Sequence, residues 1–226
     1  MYLKEIEHLL KNDTRFDISQ TFGHPKKQDF EFSVGNTFKE LMFMDTVIPD
    51  LITFKNVIMD KFSDQLYAQN VPGEEIHGRI ARMWASLIRE EHAYHLLLET
   101  GKKYGLDKTD IIRNPDLDVK QGIDVYLRNK FNLSESGKLD ILQATKESVE
   151  FRDIKDTRRI KGQDVPGKKE KIKLGTGKYA TPDATKQINN WYLLHNDYAY
   201  ILIKKYLPFI QITRSMILKN FLGFQK

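Results

Sequence analysis

Hydrophobic positions recur at helical spacing over the first hundred residues and change period afterwards. The opening MYLKEIEHLLKND carries acids and a His inside an apolar pattern and predicts a short amphipathic helix. A polar stretch follows, Asp13 to Lys27, and then DFEFSV, in which Phe30, Phe32 and Val34 alternate as one face of a strand. With Asn36 as a cap, helical stretches are expected over Thr37–Asp45 and Leu51–Asn70. Val71-Pro72-Gly73 breaks the chain before a long helix from Glu74 to about Thr100, which Gly101 ends.

Beyond Gly101, Ile123, Val125 and Leu127 alternate with Asp124, Tyr126 and Arg128. SESGK has turn chemistry and KLDILQAT is a second apolar run, so residues 122–146 predict a β-hairpin folded about 135–136. In SVEFRDIKDTRRI the apolar Val149, Phe151, Ile154 and Ile160 form a stripe, and Arg152, Lys155 and Arg159 lie together on a helix side. A Gly- and Lys-rich loop, Lys161–Tyr179, leads to Thr181-Pro182-Asp183, which has the residue types of a helix start. YAYILIK then predicts a strand and ITRSMILKNFL a closing amphipathic helix. This order predicts an α/β (α+β) protein with a mixed central sheet, a hairpin within it and helices on its faces. No Pro- or Gly-rich linker interrupts the chain, so 1–226 reads as one domain, with a helical part over 1–104 and the hairpin, basic helix and loop over 105–226.

Composition narrows the classes. Of the 226 residues 40% are hydrophobic, enough for a substantial core, while 30% charged residues and a mean hydropathy of -0.52 argue against a membrane protein. Cysteine is absent, which excludes disulfides, thiolate nucleophiles and Cys-bound zinc, and fits a reducing cytoplasm. Any metal must therefore bind oxygen or imidazole.

Lys plus Arg is 36 and Asp plus Glu 31, a net charge of +5. Between Arg152 and Lys178 ten basic residues face four acids, +6, so the remainder of the chain stands at -1. A basic segment on a near-neutral body is the footprint of a phosphate-backbone binder, although a solvated lysine-rich loop has the same composition.

Three positions carry candidate chemistry. The spacing of Ile80, Trp84, Leu87 and Leu98 puts Glu91 on the apolar side of the long helix, with Glu90 a near equivalent. A carboxylate there needs a partner, either Arg79, Arg82 or Arg89 at the core's edge or a ligand. Asp124 stands in an apolar strand start, where an ionised group loses hydration unless it meets a cation. Folding about 135–136 brings Gln143 and Lys146 across from it, an arrangement of oxygen ligands that suits magnesium.

These residues resemble the PD-(D/E)XK nucleases, and within them the type II restriction endonucleases. The resemblance rests on a helix with Glu90 and Glu91, a literal Pro115-Asp116 followed by Asp118 and Asp124, a hairpin strand with Gln143 near Lys146, and the helix with Arg152, Lys155 and Arg159. It spans roughly residues 74 to 205. It implies a restriction-endonuclease-like fold and Mg2+-dependent hydrolysis of double-stranded DNA, with Asp124 and Gln143 on the metal, Glu91 auxiliary, and Lys146 or Lys155 serving the water. It also implies a homodimer, since a two-fold protein reads a palindrome.

DNA contacts are expected from Arg152, Arg159, Lys168, Lys169, Lys171, Lys173 and Lys178. Asn189 and Asn190 have side chains that pair with adenine edges, as at an A·T-rich site. Two other classes have features behind them. A DNA-binding protein without catalysis needs only the basic segment. A di-iron carboxylate bundle would use Glu5-x-x-His8 and Glu74-x-x-His77, but these lie at a short terminal helix and a helix start. P-loop, GxGxxG, GxSxG and HExxH signatures are absent.

Overall fold

A computed structural model describes residues 2–12, 34–45, 48–69, 73–114, 117–118, 121–143 and 164–207. Its elements, in order, are α1 (Tyr2–Asn12), α2 (Val34–Asp45), α3 (Leu51–Ala68), α4 (Gly73–Lys102), β1 (Ile111–Ile112), β2 (Val125–Leu127), β3 (Gly137–Gln143), β4 (Lys168–Leu174), β5 (Thr185–Ile188), β6 (Trp191–Leu194) and α5 (Asn196–Tyr206). The chain divides into two compact units, Met1–His92 with Gln187–Trp191, and Ala93–Lys186 with Tyr192–Lys226. Among the described residues no helix is long and apolar enough to cross a membrane.

The first unit is helical. Leu3, Ile6 and Leu10, at spacings of three and four, bury one face of α1. Asp50 starts α3, its Oδ1 accepting the Thr53 N–H at 2.8 Å and so satisfying a donor that the helix itself cannot. Phe38 of α2 meets Phe54 of α3 edge to face, their ring centroids 5.4 Å apart. Trp84 packs in the same manner on Trp191 and donates its indole N–H to the Pro49 carbonyl.

The second unit is built on a four-stranded sheet in the order β1-β2-β3-β4. The first three strands form an antiparallel meander, and β4 lies parallel to β3, which makes the sheet mixed. Val125, Leu127, Leu139, Ile141, Ile172 and Leu174 are buried. Helix α5 is fastened to this sheet through Glu170 of β4, whose carboxylate accepts hydrogen bonds from Tyr198, Lys205 and Tyr206. Burial pushes that carboxyl up, but the bonds from Lys205, Tyr206 and Tyr198, with the Lys205 charge, hold it below its ordinary value.

The mixed sheet, the hairpin strands and the N-terminal helices follow the sequence pattern, while five local expectations are overturned. YAYILIK belongs to helix α5: Ala199, Leu202, Ile203 and Tyr206 are buried at spacings of three, one and three, a helical period. KKEKIKL, expected as loop, is strand β4, its alternation hidden because lysines fill one face. Thr181-Pro182-Asp183 starts no helix. The Thr181 hydroxyl accepts the Lys173 N–H at 2.9 Å and is thus committed to β4, and Asp183 takes a φ of 58°, outside the helical region. Val34, expected on a strand face, opens α2, and Asn36 lies inside that helix and not at its start. Phe30 and Phe32, the helix expected over 148–160 and the closing helix of ITRSMILKNFL lie outside the described residues.

Candidate metal centre

Asp118 and Asp124 lie on either side of Gly122, just before strand β2. The Gly122 N–H bonds the Asp118 carbonyl at 2.8 Å, the 5→1 bond of an αL end, and the Ile123 N–H bonds the Leu117 carbonyl at 3.1 Å. Such an end needs a left-handed residue, and Gly122 has a φ of 60°. The chain reverses there, so two aspartates six positions apart present carboxylate oxygens within 4.8 Å of one another.

Asp124 is 8% exposed, immediately before β2. Its N–H goes to the Leu139 carbonyl at 2.8 Å, and its Oδ2 accepts the Ile141 N–H at 2.5 Å. The aspartate therefore straddles Asp140 of β3, which is only 2% exposed. Asp118 and Asp124 thus bring their carboxylates together just before β2, with Asp140 of β3 opposite Asp124 in the hairpin register. Carboxylate oxygens of this kind are the donors magnesium takes, so the residues present fit that ion.

The hairpin register corrects the expected partner. Val125 pairs with Leu139 and Leu127 with Gly137, so the hairpin is centred on Asn132, ahead of the expected fold point, and a 3-10 turn over Leu133–Glu135, capped by Asn132, fills the connection. Gln143 ends β3 beside Leu174 of β4, four residues past the partner of Val125, so this register does not set it across from Asp124. Lys146, Lys155, Arg152, Arg159 and Asp116 lie outside the described residues.

Lys138 is the described lysine of β3, two positions before Asp140, and sequence reasoning passed it over. It is 7% exposed, and its Nζ donates to Asp164 Oδ1 at 3.0 Å, to Asp164 Oδ2 at 2.9 Å and to the Val165 carbonyl at 2.9 Å. An ammonium has three donors and all are engaged, so Lys138 fastens residues 164–165 and has no proton to offer a water. Asp140 was missed as well, although the signal that picks out Asp124, an acid in an apolar strand, is equally present in Leu139-Asp140-Ile141.

On α4, Glu91 is 3% exposed, while Glu90 is half-buried and accepts a hydrogen bond from Ser86 at 3.0 Å. Lys178 is exposed over the Tyr179 ring, 5.0 Å from its centroid. Asn189 does not fit a base-reading role. It turns the β5–β6 hairpin with a φ of 49°, and its Nδ2 donates to the Leu10 and Lys11 carbonyls at 3.0 and 2.8 Å, capping the end of α1. Asn190 beside it is exposed. No family model, curated protein or solved structure matches the chain.

Proposed function

We propose that the chain is a magnesium-dependent, site-specific endonuclease that hydrolyses double-stranded DNA at a palindromic, A·T-rich sequence, acting as a cytoplasmic homodimer. The observation that carries this proposal is the Asp118–Asp124 pair at the start of a β2–β3 hairpin in a mixed sheet, the position where the likeness to PD-(D/E)XK nucleases expects its acids.

In this proposal Asp118 and Asp124 hold the ion, and the Ile141 N–H fixes the rotamer of Asp124. A bound magnesium would supply stabilisation of charge developing on the phosphoryl oxygens. The left-handed turn at Gly122 keeps the two aspartates together, so binding needs little reorganisation of this chain. The lysine that orients the attacking water is Lys146 or Lys155, since Lys138 is spent on Asp164 and Val165.

Incubation with plasmid and phage DNA in magnesium tests the proposal. Discrete bands are expected. Smearing would replace it with a non-specific nuclease, and intact DNA together with salt-sensitive binding would leave a non-catalytic DNA-binding protein. Asp124→Ala should abolish cutting while binding in calcium persists, because a lost metal ligand affects the transition state more than ground-state contacts. A variant keeping more than about a tenth of the rate, equivalent to ~1.4 kcal/mol, would exclude Asp124 as a ligand.

A further inference from the structure

Strand β4 divides its lysines between two faces. It pairs with β3 in parallel register, Lys138 with Lys169, Asp140 with Lys171 and Leu142 with Lys173, and paired residues project to the same side of a sheet. The alternate residues Glu170, Ile172 and Leu174 belong to the other side, where Ile172 and Leu174 are buried and Glu170 meets α5. Lys168 has the parity of that second set, and its Nζ is taken by Glu135 at 2.5 Å.

Lys169 and Lys171 are exposed and Lys173 is half-buried. Alternate residues of a strand repeat every ~6.6 Å, so the three form a short row of like charge. Its charge is complementary to a polyanion lying along it. Lys171, in register with Asp140, is the lysine nearest the acids. An incoming phosphate is attracted by the row but repelled by Asp118 and Asp124 unless a cation stands between them.

We infer that the Lys169, Lys171 and Lys173 face of β4 is a phosphate track, along which the backbone of one DNA strand runs past the carboxylates, and that Lys168 takes no part in it. This rests on the nuclease proposal for its ligand. The Lys169 Nζ also bonds the Gln121 carbonyl at 3.3 Å, so the row is tied to the segment between Asp118 and Asp124.

The test is binding of a fluorescent duplex oligonucleotide by anisotropy, in calcium, over a series of potassium chloride concentrations. The slope of log K against log salt should fall by about 0.9 for each of Lys169→Gln, Lys171→Gln and Lys173→Gln, and by nearly three for the triple variant. Lys168→Gln should keep the wild-type slope, and the triple Lys→Arg variant should restore it by keeping charge on a fold shown intact by circular dichroism. A triple Gln variant with the wild-type slope, or a Lys168→Gln loss as large as that at Lys171, overturns the track. The nuclease proposal is scored separately, by cleavage in magnesium. Wild-type protein that binds with the expected slopes but does not cut overturns the nuclease and keeps the track. A cutting enzyme with unchanged slopes does the reverse, and wild-type protein that binds no duplex removes both.

Discussion

Neutralising one member of the Asp118–Asp124 pair should stabilise the metal-free protein. Their oxygens lie within 4.8 Å, and at an effective dielectric constant near 20 two unit charges at that distance repel by about 3 kcal/mol. Asp118 is half-buried and neighbouring dipoles screen the pair, so about 1–2 kcal/mol is the expected gain. Asp124→Asn removes the charge and keeps an amide oxygen for the Ile141 N–H, which Asp124 now holds at 2.5 Å. Asp124→Ala removes both, and orphaning that buried N–H costs about 1–3 kcal/mol, which offsets the relief.

The expected order of melting temperature in EDTA is therefore Asn above wild type, and wild type level with or above Ala. For a chain of this size 1 kcal/mol corresponds to about 2–4 °C, so the Asn variant should melt on the order of 5 °C higher. Magnesium reverses the order for a simple reason. An ion at a hundred times its dissociation constant stabilises the protein that binds it by about 2.7 kcal/mol and leaves a non-binding variant unchanged. Differential scanning fluorimetry with and without magnesium reads both effects. An Asn variant that melts below wild type in EDTA, or a magnesium shift equal in all three proteins, would refute a shared ion at this pair.

Gly137→Ala should destabilise by about 1–3 kcal/mol in urea titration, because its Cβ would lie 2.6 Å from the Tyr206 ring and the Glu170 bond keeps that ring from swinging away. Burial, followed by the Lys108 charge, lowers the His95 imidazole to about 4, below the ordinary value of about 6.5. Between those values the unfolded chain binds more protons, so the contribution of His95 is complete above pH 6.5 and is lost as pH falls toward 4; His95→Gln should flatten the urea midpoint between pH 7 and 4.5. Asn189→Ala should cost about 1–2 kcal/mol through its lost α1 cap and its left-handed φ, with Asn189→Gly intermediate because glycine relieves only the backbone strain.

The four N-terminal helices and the two hairpin strands could be read from the sequence because each announces itself within a few residues. Helix α4 shows it in Ile76, Ile80, Trp84 and Ile88, buried at spacings of four. Strand β4 could not be read that way. Only Ile172 and Leu174 of KKEKIKL are buried hydrophobics, and the remaining inward residue is Glu170, whose partners come from a helix more than twenty-five residues later. In YAYILIK the period-two and helical patterns coincide over so short a run that only Tyr206, outside the motif, decides for a helix.

The candidate site shows the same division between local and distant information. Asp124 stands out because an acid in an apolar strand needs a partner, and that logic is local. Its association with Asp118 depends on a left-handed Gly122, and its relation to Asp140 depends on where the hairpin turns. The register turns on Asn129 and Ser136: Asn129 accepts the Phe131 and Asn132 N–H groups and Ser136 accepts the Asn129 N–H, which lengthens the loop and moves every pairing along β3.

Lys138 then limits what the site can do. A lysine two residues from Asp140 on the same strand would be the obvious cation for a phosphate or a water, yet its three donors close on Asp164 and Val165. Tyr126 reinforces that closure by donating to the Pro166 carbonyl at 3.0 Å, and Gln121 does so by accepting the Val165 N–H at 3.3 Å. The segment entering β4 is thereby fastened to both strands of the hairpin and to the turn between Asp118 and Asp124. On β4 the lysines on the same side of the sheet as Lys138 and Asp140 are Lys169, Lys171 and Lys173, and under the nuclease proposal these supply the positive charge that Lys138 does not.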